Sequence, residues 1–250
     1  AVTIDRNQYR HHDYADFAQE YLQRNADYRL DHTETMARIA AAPDVEPLER
    51  EGLAGGGAFA FPTAPDSDPR TAPALWSPAE APDVVVLATA DIEAAVSLLS
   101  DFESLAEAIS NSEHHMVIAL GIARLRLCLR PVPSMCPECL IILHDQSATI
   151  RLAAAARFDR ATLGDRLIPD RISMPSAYQR ARHIQLLRVH DALEAGASSR
   201  DLAFGLVFRG HRPLVGAIWK GSGERRHVLR LISEARRMVS NGYRMLLRHR

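Results

Sequence analysis

The sequence predicts an α+β protein, built from an N-terminal helix, a flexible linker, a small strand-containing middle unit and an all-helical C-terminal domain. Three observations carry this. Apolar residues recur at helical spacing near the N-terminus and again beyond residue 149, runs of strand length lie between, and eight of the fourteen prolines fall from Pro43 to Pro82. At 250 residues, 47% hydrophobic and 24% charged, the chain is long enough to bury a core. No apolar run approaches the roughly 18 residues of a membrane helix, and the first fourteen residues have no apolar stretch of the signal-peptide kind. A soluble cytoplasmic protein is expected.

Residues 1–42 open with DYADFAQEYLQRNADYRLDH, where Phe17, Ala18, Tyr21 and Leu22 share one helical face and Asp13 or Asp16 can cap the start. A helix is expected from Tyr14 to about Arg24, with a short helical stretch through Met36 and Ile39. Residues 43–82 add the triple glycine Gly55 to Gly57 to their prolines and read as a linker that cannot offset its ordering entropy by burial, with Trp76 as its one anchor. Residues 83–149 form the α+β unit. Val84 to Leu87 is a buried-type strand, and Ile92, Ala95, Val96, Leu99, Phe102, Ala106 and Ile109 fit one face of a helix running from Asp91 to Ile109. From Arg124 to Arg130 the chain alternates strictly, so Leu125, Leu127 and Leu129 point to a core while Arg124, Arg126, Cys128 and Arg130 point to solvent. Leu140 to Leu143 is the returning strand.

Residues 150–250 read as helices. Gly164 ends the first, Gly196 ends the second, Ser198 and Ser199 cap a third, a short one is expected at Leu214 to Trp219, and the last opens at Ser222 and breaks at Asn241–Gly242. A helix, a glycine turn, a short capped helix and a longer basic helix make a helix-turn-helix-like order. Charge points the same way. Residues 1–150 hold 10 basic and 23 acidic residues, whereas 151–250 hold 20 and 8, so a neutral chain has a basic half suited to a polyanion. On the last helix Val228, Leu231, Ile232, Ala235 and Met238 form the apolar stripe, and Arg225, Arg226, Arg230 and Arg237 lie away from it. Ser199 and Arg200 would offer a helix N-terminus to a phosphate. With Arg209, Arg212, Lys220 and Ser222, these are the candidate contacts to double-stranded DNA; the alternative is a solvated face that keeps the helix soluble.

CPEC, Cys136 to Cys139, has three readings. With Cys128 and His144 it matches a Cys3His zinc site, alone it matches a redox pair, and between two strands it matches a plain loop. The loop is the reading adopted, with no metal and no cofactor, although ligation by Cys128, Cys136 and Cys139 stays open. The histidine doublets His11–His12 and His114–His115 read as surface pairs. No GxSxG, HExxH or GxxxxGK[ST] motif is present, the glycine-rich LAGGGAF lies in the linker, and His190 and Asp191 point about 100° apart on their helix, so no catalytic residues are assigned and no enzyme is expected.

The stretches RLAAAARFDRATLG, RDLA, Trp219 and RRHVLRLISEARRMVSNGYRMLL, preceded by FAQEYLQRNADYRLD, resemble the FseA/RovC-like proteobacterial transcriptional activators, in which a short N-terminal regulator domain is fused to, or encoded beside, a C-terminal helix-turn-helix-type domain. The two motifs span about 120 residues. The resemblance implies an activator of mobile-element transfer or secretion genes, acting on promoter DNA in the nucleoid, with an antiactivator protein as a further partner. A protein-binding antiactivator or adaptor that keeps the fold without DNA affinity is the competing reading. Symmetric sites favour a homo-oligomer, with the tethered N-terminal helix reaching a neighbouring protomer.

Overall fold

The computed structural model describes residues 9–41, 63–109, 113–133, 138–164 and 173–249. The chain divides into two compact units, His12–Pro175 with Tyr243–Arg250, and Ala1–His11 with Ser176–Gly242.

The first unit is built on a five-stranded sheet in the order β2-β3-β4-β1-β5. Its strands are β1 (Val84–Thr89), β2 (Ser104–Ile109), β3 (His114–Leu120), β4 (Ala123–Pro131) and β5 (Cys139–Ile141). β1 runs parallel to β4, and the other pairs are antiparallel. Val85, Leu87, Met116, Ile118, Leu125, Leu127 and Leu129 line one face, beneath Ala95 and Leu99 and beneath Ala154 and Ala161. Ala95 belongs to α3 (Ile92–Ser97) and the latter two alanines to α4 (Ala148–Thr162). Gly164 takes the left-handed conformation, φ +78, beyond α4. α4 therefore completes the sheet's core rather than opening the C-terminal helical unit.

The opposite face differs from the expectation. Arg124, Arg126 and Cys128 do not meet water: each is at most 5% exposed. The two arginines meet α1 (Tyr14–Leu22), whose capping box joins Asp13 and Asp16 through Asp16 N–Asp13 Oδ1 at 2.8 Å and Asp13 N–Asp16 Oδ2 at 3.1 Å. The same carboxylates receive the guanidiniums, Asp13 from Arg126 at 2.9 and 3.1 Å and Asp16 from Arg124. Alternation thus marks a two-sided strand whose arginines meet carboxylates instead of solvent. α1 is consequently docked within its own chain, contrary to the expected reach toward a neighbouring protomer. α9 (Tyr243–Leu247) packs on α1, and His249 stacks on Tyr14 with ring centroids 4.9 Å apart. α2 (Ala26–Ala41) follows, with the Asn25 side chain accepting from Tyr28 N.

Residues 63–82 contain turns and a single bridge at Trp76, as their prolines require, but they are packed. Gln19 donates to Ala72 O and accepts from Ala74 N, Gln23 donates to Ser67 O, and Arg124 donates to Pro69 O and Arg70 O. Trp76 is 2% exposed. The rest of the expected linker, including LAGGGAF, lies outside the described residues.

The helix expected from Asp91 to Ile109 is instead a short helix and a strand. Ala95 and Leu99 fill the core-facing side within the first turns, the chain bends at Phe102 N–Leu99 O, and Ser104–Ile109 gains a ladder with β3. Nonlocal pairing overrides the helical spacing of Ala106 and Ile109. His12, His114 and His115 are buried rather than paired at the surface. β3 is an interior strand, so His114 and His115 sit on opposite covered faces, paired with Glu107 at 2.6 Å and Glu113 at 2.8 Å.

Among the described residues, the Cys3His set is not assembled. Cys128 lies in β4 and Cys139 is exposed at the start of β5, with β1 between the two strands, while Cys136 lies outside the described residues. Burial pushes the Cys128 thiol up to about 12, which removes it as a redox nucleophile.

Candidate nucleic-acid interface

The second unit consists of α5 (Ala177–Glu194), α6 (Ser199–Leu202) continuing as a π-helical turn Ala203–Val207, α7 (Gly216–Gly221), and α8 (Gly223–Arg237) continuing as a second π-helical turn Met238–Gly242. Each boundary has a local cause. Ser176 and Gln179 form a capping box at the start of α5, Gly196 ends it with φ +85, and Ser198 with Asp201 forms the next box. Ser222 caps α8 by accepting from Arg225 N at 3.1 Å, while its hydroxyl donates to Trp219 O at 3.0 Å.

α8 packs on α5, α6 and α7. Val228, Leu231, Ile232, Ala235 and Met238 are all buried, against a core that includes Leu186, Leu187, Val189, Leu202 and Ala203. Each large apolar side chain contributes roughly 1.5–3 kcal/mol on full burial, so four of them fix the rotation of α8 about its axis. The opposite face is thereby committed to solvent. Arg226 and Arg230, four residues apart, are exposed there, with Arg225 half-buried beside them and Lys220 exposed just before the helix. Arg226 Nη1 donates to Gly221 O at 3.0 Å, which holds its side chain over the N-terminal end of α8.

The connection after the first π-helical turn folds against the same end. Phe208 meets His227 edge-on at 5.6 Å between centroids, and His211 Nδ1 lies 3.8 Å from Glu224 Oε1. Arg209 and Arg212, both exposed, thus flank the first turns of α8. Phe208 and His211 are not legible as site residues from the sequence, because they lie in a connection with no helical or strand period, and His227 is visible only as a member of α8. The remaining sites fall elsewhere. Ser222 is a helix cap, and Arg237 lies at the far end of α8 with its guanidinium against Met238 Sδ. Ser199 and Arg200 are half-buried, and the amides at that terminus are served by Ser198 and by Asp201, whose carboxylate accepts from Ser198 N at 3.0 Å. A negative charge therefore already occupies the terminus where a phosphate was expected.

Burial lowers His183 of α5, to about 4, against the attraction of Glu234, which itself accepts from Arg182. This neutral imidazole belongs to the support of α8 and not to its exposed face.

Comparison with protein families gives two matches. Residues 141–248 match the RovC DNA-binding domain, described as a type VI secretion system (T6SS) transcription factor, DNA binding domain, and residues 4–54 match the proteobacterial transcriptional regulator-like domain. No curated protein matches the chain. Among the described residues no helix is long and apolar enough to cross a membrane. The chain thus carries, in this order, a match to a proteobacterial transcriptional regulator-like domain and a match to a RovC-type DNA-binding domain, an arrangement that supports a DNA-binding transcriptional regulator.

Proposed function

We propose that the protein is a non-enzymatic transcriptional activator whose α8 is the recognition helix of a helix-turn-helix module. One observation carries this reading: α8 buries its apolar stripe completely while Arg226 and Arg230 stand exposed on its first two turns, flanked by Arg209, Arg212 and Lys220. Arginine suits this position, since its planar fork reaches guanine O6 and N7 or a phosphate in bidentate fashion. The other exposed basic groups position the duplex by phosphate contact, with Arg225 and Arg200 in support and Arg237 reaching the backbone at the far end. The type VI secretion description of the matched domain supports secretion genes, or mobile-element transfer genes, as the targets. Cytoplasmic residence at the nucleoid and a homo-oligomeric form that reads repeated half-sites complete the proposal.

The test is an electrophoretic mobility assay on the promoter upstream of the protein's own operon across a salt series. Affinity that falls steeply with salt supports the reading, because every phosphate contact releases counterions. Absence of any DNA complex at low salt overturns it.

A protein-binding antiactivator or adaptor is the second reading, favoured by Val215 and Ile218 around α7, which are 58% and 69% exposed. It predicts no salt-sensitive DNA complex.

A further inference from the structure

We propose that Glu113, His115 and Cys128 form a binding site for a single zinc-type divalent cation. His115 on β3 and Cys128 on β4 face each other directly across the antiparallel pair, and Glu113, just before β3, brings its carboxylate to the His115 ring. One donor atom from each lies within 4.8 Å of the other two.

The spacing is that of a metal site. Cys128 Sγ and His115 Nε2 are 3.7 Å apart. A tetrahedral zinc with its usual sulfur and nitrogen bond lengths needs an S···N edge of about 3.6 Å. The two side chains that cannot move, buried in an interior strand pair, therefore already hold that edge. Glu113 Oε2 is 2.8 Å from His115 Nε2, and it has to withdraw by about half an ångström to reach a zinc N···O edge. Its side chain is 25% exposed and can do so.

The donor set selects the cation. Thiolate, imidazole and one carboxylate suit zinc or a similar transition ion, whereas calcium and magnesium require a shell of oxygens. A nucleophilic triad is excluded by geometry, because the same nitrogen, Nε2, faces both the thiol and the carboxylate, and a relay needs the two different ring nitrogens. On binding, the Cys128 S–H bond breaks, the sulfur lone pair goes to the metal and the proton leaves to solvent. Three protein ligands leave the fourth position to water. Arg130 Nε holds the other carboxylate oxygen, Glu113 Oε1, at 2.6 Å, and its charge opposes the cation.

Cobalt(II), which reports zinc sites by absorption, is titrated into the full chain and then displaced by zinc. One equivalent with a thiolate-to-cobalt charge-transfer band is expected. Cys128→Ser abolishes the band, Glu113→Gln weakens binding at least about tenfold, and the partly exposed Arg130→Gln tightens it several-fold. The double variant Cys136→Ser, Cys139→Ser leaves all of this unchanged. No band in the parent, or a band that survives Cys128→Ser and disappears in the double variant, overturns the site. Should Cys128→Ser fail to fold, the opposite signs expected for Glu113→Gln and Arg130→Gln decide: no weakening in the first, or no tightening in the second, also overturns it.

Discussion

Asp13 and Arg126, 113 positions apart, form a two-pronged ion pair at 2.9 and 3.1 Å in which the same carboxylate also caps α1. Burial alone would raise the Asp13 carboxyl, but Arg126 overrides it and holds the group well below the usual carboxylate range. One side chain thus starts the N-terminal helix and fixes it to the sheet. A buried guanidinium that loses its main partner costs about 3–5 kcal/mol. Asp13→Ala is expected near the lower end, about 3 kcal/mol, because Asp16 and Asp83 stay 3.4 Å from Arg126. Asp13→Ala combined with Arg126→Met should be less damaging than Asp13→Ala alone, since no unpaired charge remains. Equilibrium denaturation of the three chains tests this; strictly additive losses would show that the pair does not act as a unit.

His183 gives the helical unit a pH dependence of definite sign. Its folded-state value is about 4 against 6.5 for the free side chain. Between these values the unfolded chain takes up a proton that the folded chain refuses, so stability is complete above pH 6.5 and falls as pH drops through that window. The full effect is about 3 kcal/mol. His183→Gln should remove it. Denaturation at pH 7 and pH 4.5 is the check, and an equal pH response in parent and variant would rule the histidine out as the cause.

Gly242 has no left-handed backbone to justify it; its reason is space. A Cβ there would lie 2.8 Å from Met238 Sδ and 3.0 Å from the carbonyl oxygen of Arg237. The thioether can swing away but the carbonyl cannot. Overpacking of this kind costs about 1–3 kcal/mol, and the gain in helix propensity returns up to about 1. Gly242→Ala should therefore lower the melting temperature by a few degrees. A rise would mean that the π-helical turn Met238–Gly242 relaxes freely.

Local signals were legible wherever local chemistry decides the structure. Gly196, Ser198 and Ser222 mark helix ends through caps that involve only neighbours three residues away, and the apolar stripe of α8 follows from its period. The failures are nonlocal. Ala106 and Ile109 fit a helix until β3 supplies a ladder, and no pattern within β4 reveals that Arg124 and Arg126 find carboxylates on α1. The alternation identifies the strand but not the medium on its polar side. At the candidate interface the arginines of α8 were visible as a face, whereas the folding of Phe208 and His211 against Glu224 and His227 depends on a connection without periodicity.

The proposed recognition face is tested at Arg226 and Arg230. Both are exposed on the side of α8 opposite Val228, Leu231 and Ile232, so truncation removes charge without opening the core. Arg226→Ala gives up only the bond to Gly221 O at the protein surface, and Arg230→Ala should be equally mild, so both variants should keep the parental melting temperature within about 2 °C. Their effect on DNA should differ by role. Loss of a base contact costs roughly 1–3 kcal/mol and relaxes preference at one position, whereas loss of a phosphate contact lowers affinity on every sequence and flattens the salt slope by about one. Arg236 is the comparison: it is also exposed but lies ten residues beyond Arg226, about 15 Å along the helix, where a helix entering the major groove by its N-terminal end has left the bases. Arg236→Ala should therefore weaken binding less than either. If Arg226→Ala and Arg230→Ala bind the promoter as tightly as the parent while Arg236→Ala does not, the far end of α8 meets the duplex and the orientation of the recognition helix is reversed. If none of the three matters, the basic groups of the preceding segment, Arg209, Arg212 and Lys220, become the contact surface, and the same salt series on their alanine variants measures how many phosphates they neutralise.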